Sequence, residues 1–142
     1  MSNPKTFLIV AAACAIGLVF SACGGGSSEE VGSLPSGGET LPAKILSWEP
    51  PTSYSDGTPL DPATELDSYE IYVNEDGIFS DTDNEMAVVA PLEQATGQII
   101  TSFDLANLSP FITPGVTYHV SIRAVAKTGL HSDFSPSAAF SY

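Results

Sequence analysis

The chain has 142 residues, with 4 Lys and Arg against 17 Asp and Glu, and a formal net charge of −13 at pH 7. So acidic a surface repels phosphate backbones and anionic lipid headgroups, which excludes nucleic-acid binding and means that membrane attachment needs a lipid or a span. The 2 cysteines, Cys14 and Cys23, both lie near the N-terminus, so no disulfide is expected within a folded domain.

Residues 1–22 have the pattern of an export signal. Lys5 supplies the positive start, an uncharged apolar run covers residues 7–20, and two small residues follow. That run is shorter than the ~20 apolar residues that cross a bilayer. The last residues, Phe-Ser-Ala-Cys at 20–23, resemble a bacterial lipobox. This resemblance implies that Cys23 is acylated and becomes the new N-terminus; the alternative is an ordinary secretory signal that happens to precede a cysteine.

Residues 23–38 form a Gly- and Ser-rich segment with too little apolar surface to fold. A flexible tether of this length has a reach of about 20 Å, so the domain that follows would lie just off the membrane. Gly24 stands where an Asp would retain a lipoprotein in the inner membrane of Gram-negative bacteria. The predicted location is therefore the cell envelope, with a lipid anchor in the outer membrane.

Residues 39–142 predict a single all-β domain. Short apolar segments alternate with clusters of Pro, Gly, Asp and Ser, and helical periodicity is lacking. The expected strands cover residues 41–48, 67–74, 86–90, 98–105, 112–126 and 137–142. About seven strands in about 100 residues are typical of an immunoglobulin-like antiparallel β-sandwich.

The segment 112–126 predicts the central strand, because apolar and polar residues alternate along it with a period of two. Tyr118 follows the turn signal Pro114-Gly115, which is the arrangement of a tyrosine corner. With Trp48 and Tyr69, it is expected to belong to the structural core.

Several segments of the domain resemble the fibronectin type III family. They are Leu46-Ser47-Trp48 with Pro50-Pro51, Asp56-Gly57-Thr58-Pro59-Leu60, Ser68-Tyr69-Glu70-Ile71-Tyr72, Pro114-Gly115-Val116-Thr117-Tyr118, Arg123-Ala124-Val125-Ala126, and Gly129 with Ser132 and Ser135. The resemblance implies a sandwich that acts in binding or as a spacer and not in catalysis. Two features depart from the family: only the region around residues 31–34 offers a first strand, and residues 111–113 lengthen the link into the corner.

An acidic loop at residues 75–85 is the first candidate site. Asp81, Asp83 and Glu85 are spaced by two, and carboxylates so spaced could converge on calcium. An EF-hand would need glycine at the sixth position, where Met86 stands. The alternative is a solvated connecting loop that keeps the domain soluble.

The outer face of the predicted sheet is the second candidate site. The resemblance implies that strands 67–74 and 112–126 pair, which would set Tyr72 beside His119, Ser121 and Arg123. Tyr and Arg often anchor protein interfaces, although this face is equally compatible with an ordinary polar exterior. A third candidate is the loop that carries Lys127, with Leu130 and His131 expected to be exposed.

The function favoured by these patterns is non-catalytic binding of an envelope or extracellular protein, or of a glycan. No Gly-x-Ser-x-Gly motif is present, and His119 and His131 lie in different kinds of segment, so neither an enzyme nor a zinc site is expected. No cofactor is expected outside the calcium hypothesis. Two alternatives stay open: a structural subunit that assembles by β-strand addition, and a calcium-dependent binding module.

Overall fold

The computed structural model of the protein describes residues 41–142. The predicted signal peptide, the predicted lipidation site Cys23 and the predicted tether lie outside the described residues. The strands are β1 (Ile45–Ser47), β2 (Leu66–Asn74), β3 (Ala87–Val89), β4 (Ser102–Asp104), β5 (Thr117–Ala126) and β6 (Ala138–Ser141); the helices are α1 (Pro62–Glu65) and a 3-10 helix at Leu105–Phe111. Between residues 41 and 142, no helix is long and apolar enough to cross a membrane.

The strands form two antiparallel sheets. One contains β1 and β4, and the other has the order β3-β2-β5-β6. Buried side chains from both sheets belong to one hydrophobic cluster, with Leu46 from β1 and Ile71 and Ile122 from the larger sheet. At this level the predicted all-β, antiparallel architecture is confirmed.

The alternation in β2 and β5 decides which side of the larger sheet is buried. Tyr69 and Ile71 in β2, and Val120 and Ile122 in β5, all point into the core. Because successive side chains of a strand point to opposite faces, the residues between them lie on the outer face. The antiparallel pairing of these two strands was expected from the sequence, and the structure has it.

The aromatic residues expected in the core are buried. Trp48 and Tyr69 contact each other with ring centroids 5.1 Å apart. Tyr118 is buried too, and its hydroxyl accepts a hydrogen bond from the backbone N–H of Thr113 at 3.1 Å. Gly115 lies in the turn between them with φ of 84°, a conformation that favours glycine. The hydrogen bond thus ties the incoming loop to the start of β5.

Five strands are shorter than the sequence predicts, of which β3 and β6 lose one residue at each end. β1 begins at Ile45 and not at residue 41, β4 begins at Ser102 because Ile99 bridges to Leu92 instead, and β5 begins at Thr117. The link into β5 contains the 3-10 helix Leu105–Phe111, which the period-two pattern did not reveal.

The helix α1 was also not expected, although its sequence carries a start signal. Asp61 caps it by accepting a hydrogen bond from the N–H of Ala63 at 3.0 Å, and Pro62 occupies the first turn. Glu65 accepts from the backbone N–H of Asp61 at 2.7 Å and closes the turn from the other side. Residues 62–65 thus form a helical turn in a domain whose sequence lacks helical periodicity.

Lys44 joins the two sheets at their margins. Its backbone N–H donates to Asp104 in β4, and its ammonium group donates to the carbonyl oxygen of Ser141 in β6. The same ammonium group lies over the ring of Tyr142, 5.1 Å from the centroid. A lysine at this position occupies the outer edge of β6, which is a common protection of edge strands.

Candidate interaction surface

The register between β2 and β5 brings the predicted outer-face residues together. Tyr72 lies opposite Ser121, and Glu70 lies opposite Arg123. The neighbours along the sheet are therefore those expected from the sequence. This face is nevertheless not open, since only 5% of Tyr72 is exposed. The expectation of an accessible contact patch at Tyr72 is therefore wrong.

Tyr72 is covered by aromatic residues from two loops. The ring of Phe134 contacts it edge-on, with centroids 5.0 Å apart, and Phe79 lies 5.8 Å from Phe134. The hydroxyl of Tyr72 donates to Glu70 at 2.6 Å. Burial raises the pKa of Tyr72 to about 12, and the hydrogen bond to Glu70 contributes in the same direction. Neither Phe79 nor Phe134 was singled out from the sequence, because both lie in loops, outside any period-two pattern.

Arg123 fastens the same two loops to the sheet. Its Nε donates to the carbonyl oxygen of Ser132 at 2.9 Å, and its Nη1 lies 2.7 Å from the Oδ1 of Asp81. The guanidinium also lies over the ring of Phe134, 4.5 Å from the centroid. We call Arg123 and these three partners the arginine clamp. Since its side chain is only 13% exposed, Arg123 holds loops in place and offers little surface to a partner.

The two histidines lie in different settings. His119 is half-buried against Gly77, where a Cβ atom would lie 3.0 Å from the imidazole ring. His131 is exposed, and its Nε2 lies 3.5 Å from a carboxylate oxygen of Glu70. The structure thus does not bring His119 and His131 together.

The Lys127 loop is less open than expected. The ammonium group of Lys127 donates to the carbonyl oxygen of Thr64 at 2.8 Å. Leu130 is half-buried and packs against the core, because the chain reverses tightly at Gly129 and the N–H of Ala126 donates to Leu130. The expectation that Leu130 is exposed is therefore wrong, whereas His131 is exposed.

The acidic loop does not form a metal cluster. Asp81 pairs with Arg123, and Asp83 accepts hydrogen bonds from the N–H and the hydroxyl of Ser80 at 2.6 and 3.0 Å. Glu85 is exposed. Within residues 41–142, no group of three or more His, Cys, Asp or Glu side chains could hold a metal ion. The calcium hypothesis for Asp81, Asp83 and Glu85 finds no support in this arrangement.

The hydrogen bonds of β5 show which of its residues direct their backbone N–H and C=O groups away from β2. The N–H of Ile122 donates to the hydroxyl of Ser135, and Ser135 donates its own N–H back to Ile122. Ala124 exchanges equivalent bonds with Ser132. Both strand residues therefore direct their backbone groups away from β2.

This alternation carries across β2 to the edge strand β3. Ile71 lies opposite Ile122, so its backbone groups point towards β3, and it accepts a hydrogen bond from the N–H of Met86 at 2.7 Å. Ala87 lies opposite Ile71 and faces β2. Val88, the next residue, must direct its N–H and C=O away from the sheet. Because β3 is the terminal strand, these groups point to an edge that no described strand occupies.

Val88 also carries an exposed apolar side chain, with 59% of its surface accessible. Its side chain lies on the outer face of the sheet with that of Glu70, its partner in β2. The chain enters β3 through Glu85, an exposed carboxylate three residues before Val88. We call Val88, its free backbone groups and the carboxylates of Glu70 and Glu85 the β3 edge surface. One feature of the sequence could have indicated this surface: Val88 alternates with Ala87 and Val89, the two partly buried residues of this short strand.

The positive charges of the described domain are all engaged by the fold itself. Lys44 binds β6, Arg123 pairs with Asp81, and Lys127 binds the carbonyl oxygen of Thr64. No other Lys or Arg occurs between residues 41 and 142. The β3 edge surface therefore presents negative charge with no lysine or arginine that is free to balance it.

Comparison with models of protein families, with curated proteins and with solved structures found no match to this chain.

Proposed function

We propose that the chain is a lipid-anchored, non-catalytic protein-binding module of a bacterial cell envelope, built on a fibronectin type III-like domain. The observation that carries the binding role is the β3 edge surface, where Val88 presents unpaired backbone groups and an apolar side chain beside carboxylates. Such an edge is a recurrent means of holding an extended segment of another protein.

The strand order supports the domain type. In immunoglobulin-like sandwiches the third, sixth and seventh strands lie side by side, and the second strand pairs with the fifth. The order β2-β5-β6 in one sheet and β1-β4 in the other agrees with this arrangement if one strand precedes β1. The tyrosine corner at Tyr118 is a second feature of that class.

The envelope location rests on the sequence at residues 20–23 and on the tether that follows. Replacing Cys23 by serine removes the thiol that would carry the lipid. In a bacterium that processes lipoproteins, Cys23→Ser is expected to release the protein from the membrane fraction, measured by fractionation and immunoblotting. Retention of the variant in membranes equal to the unchanged protein would contradict the anchor.

The binding role is tested by cross-linking in intact cells with an affinity-tagged full chain, followed by mass spectrometry. One dominant heterologous partner supports a protein-binding module. Recovery of self-cross-links alone would favour the second candidate, a structural subunit that assembles through the free edge of β3. Absence of any specific product would contradict both and favour a glycan ligand.

A further inference from the structure

We propose that the β3 edge surface binds an extended, lysine- or arginine-rich segment of the partner protein by β-strand addition. The proposal rests on the binding function above and names the chemistry of its ligand. The partner strand would pair with the backbone of Val88 and place basic side chains towards the carboxylates that precede and flank β3.

The choice of β3 follows from a comparison with β6, the other terminal strand of the same sheet. At β6 the ammonium group of Lys44 already occupies the carbonyl oxygen of Ser141. At β3 no described residue pairs with the outer edge, and both Val88 and Ala90 are exposed. By the same alternation the backbone groups of Ala139 in β6 also point outward, but Lys44 places a positive charge at that edge, which would oppose a basic segment. Of these two edges, that of β3 therefore suits a basic ligand.

The choice of ligand follows from charge. A second copy of this chain would bring its own excess of carboxylates against Glu70 and Glu85, and like charges at an interface oppose association. A basic segment gains from the same field. β3 has only 3 residues, so backbone pairing alone is short and the charges must add to the affinity. The interaction should therefore weaken as salt screens these charges.

The geometry also limits where the ligand strand can extend. Pro91 follows Ala90 and cannot donate a backbone hydrogen bond, which ends the ladder on that side. On the other side the chain leads through Glu85 into the acidic loop. Basic residues of the ligand are therefore expected to lie on the Glu85 side of Val88.

The test uses the purified full chain and a synthetic peptide of alternating lysine and valine. Binding is measured by isothermal titration at about 20 mM and about 300 mM salt, and mapped by amide chemical shifts of the 15N-labelled protein. We expect the largest shifts at β3 and a dissociation constant that rises about tenfold or more at the higher salt concentration. A peptide of alternating glutamate and valine is the charge control and should not bind at about 1 mM.

Two backbone controls separate strand addition from simple attraction of charge. Val88→Pro removes the outward N–H but no hydrogen bond to β2, and it should weaken the Lys-Val peptide about tenfold, as should N-methylation of the peptide backbone. Val88→Thr keeps the N–H and should bind within about threefold of the unchanged protein. Should Val88→Pro not fold, as judged by its thermal unfolding, Val88→Lys keeps the N–H, adds a like charge and should weaken binding similarly.

Equal binding by the N-methylated peptide, by the Glu-Val peptide or by folded Val88→Pro would overturn the proposal. So would a lack of binding by the Lys-Val peptide at about 1 mM. Cross-linking in cells distinguishes failure of the strand-addition proposal from failure of the proposed binding function. If Val88→Pro captures the same partner as the unchanged protein, the module binds proteins through another surface; if the unchanged protein captures none, the binding function itself fails.

Discussion

The arginine clamp should contribute measurably to the stability of the domain, and Arg123→Met tests this because methionine keeps much of the apolar stem. The hydrogen bond from Nε to Ser132 is partly buried and should contribute about 1–2 kcal/mol. The guanidinium over Phe134 should add about 0.5–1 kcal/mol. The ion pair should add less than about 1 kcal/mol, since the side chain of Asp81 is 85% exposed.

Together these contributions predict that Arg123→Met lowers the free energy of unfolding by about 2–3 kcal/mol, which in a domain of this size corresponds to a fall in Tm of about 10 °C or more. Urea unfolding followed by tryptophan fluorescence gives the measurement. Asp81→Ala is the matched control and should cost about 0.5 kcal/mol or less. A double-mutant cycle then isolates the ion pair. The clamp is refuted if Arg123→Met unfolds within about 0.5 kcal/mol of the unchanged protein, or if Asp81→Ala alone costs as much as Arg123→Met.

Three further changes have expected outcomes. Tyr118→Phe removes the hydroxyl that accepts the backbone N–H across the corner and should cost about 1 kcal/mol in urea unfolding; no change would mean that the corner bond contributes nothing net. Gly77→Ala should destabilise more than Gly57→Ala, because both glycines have positive φ but only at Gly77 would a Cβ lie 3.0 Å from the His119 ring; equal losses of Tm would contradict this contact. Burial raises the pKa of Tyr69 from 10.0 to about 12, so the unfolded chain ionises first and stability should fall as the pH rises from 10 to 12. Tyr69→Phe should remove about 2–3 kcal/mol of that fall, and an unchanged pH dependence would show that Tyr69 does not titrate in this way.

The strands and their buried faces could be predicted because they depend on local pattern. Tyr69 and Ile71 repeat with a period of two, and this alone assigns them to one side of β2. Tyr118 could be placed in the corner because the turn signal Pro114-Gly115 ends three residues before it. Helix α1 had a readable start at Asp61 and Pro62, but its single turn is too short to show a 3.6-residue period.

The state of the outer face could not be predicted in this way. Alternation shows that Tyr72 and Arg123 point away from the core, but it does not show whether a loop lies over them. Arg123 finds Asp81 at a distance of 42 residues along the chain, and no local pattern encodes that approach. Phe134 was overlooked for the same reason, because its role appears only when its loop packs against the sheet.

The sequence by itself therefore determined the all-β architecture and the strong negative charge, since these follow from residue periodicity and composition. Only the tertiary structure decided that Arg123 and Lys44 are held within the fold, that Tyr72 is covered, and that Val88 stands at a free edge. Those properties depend on which distant segments meet. Such contacts are set by the packing of the whole domain and not by the order of neighbouring residues.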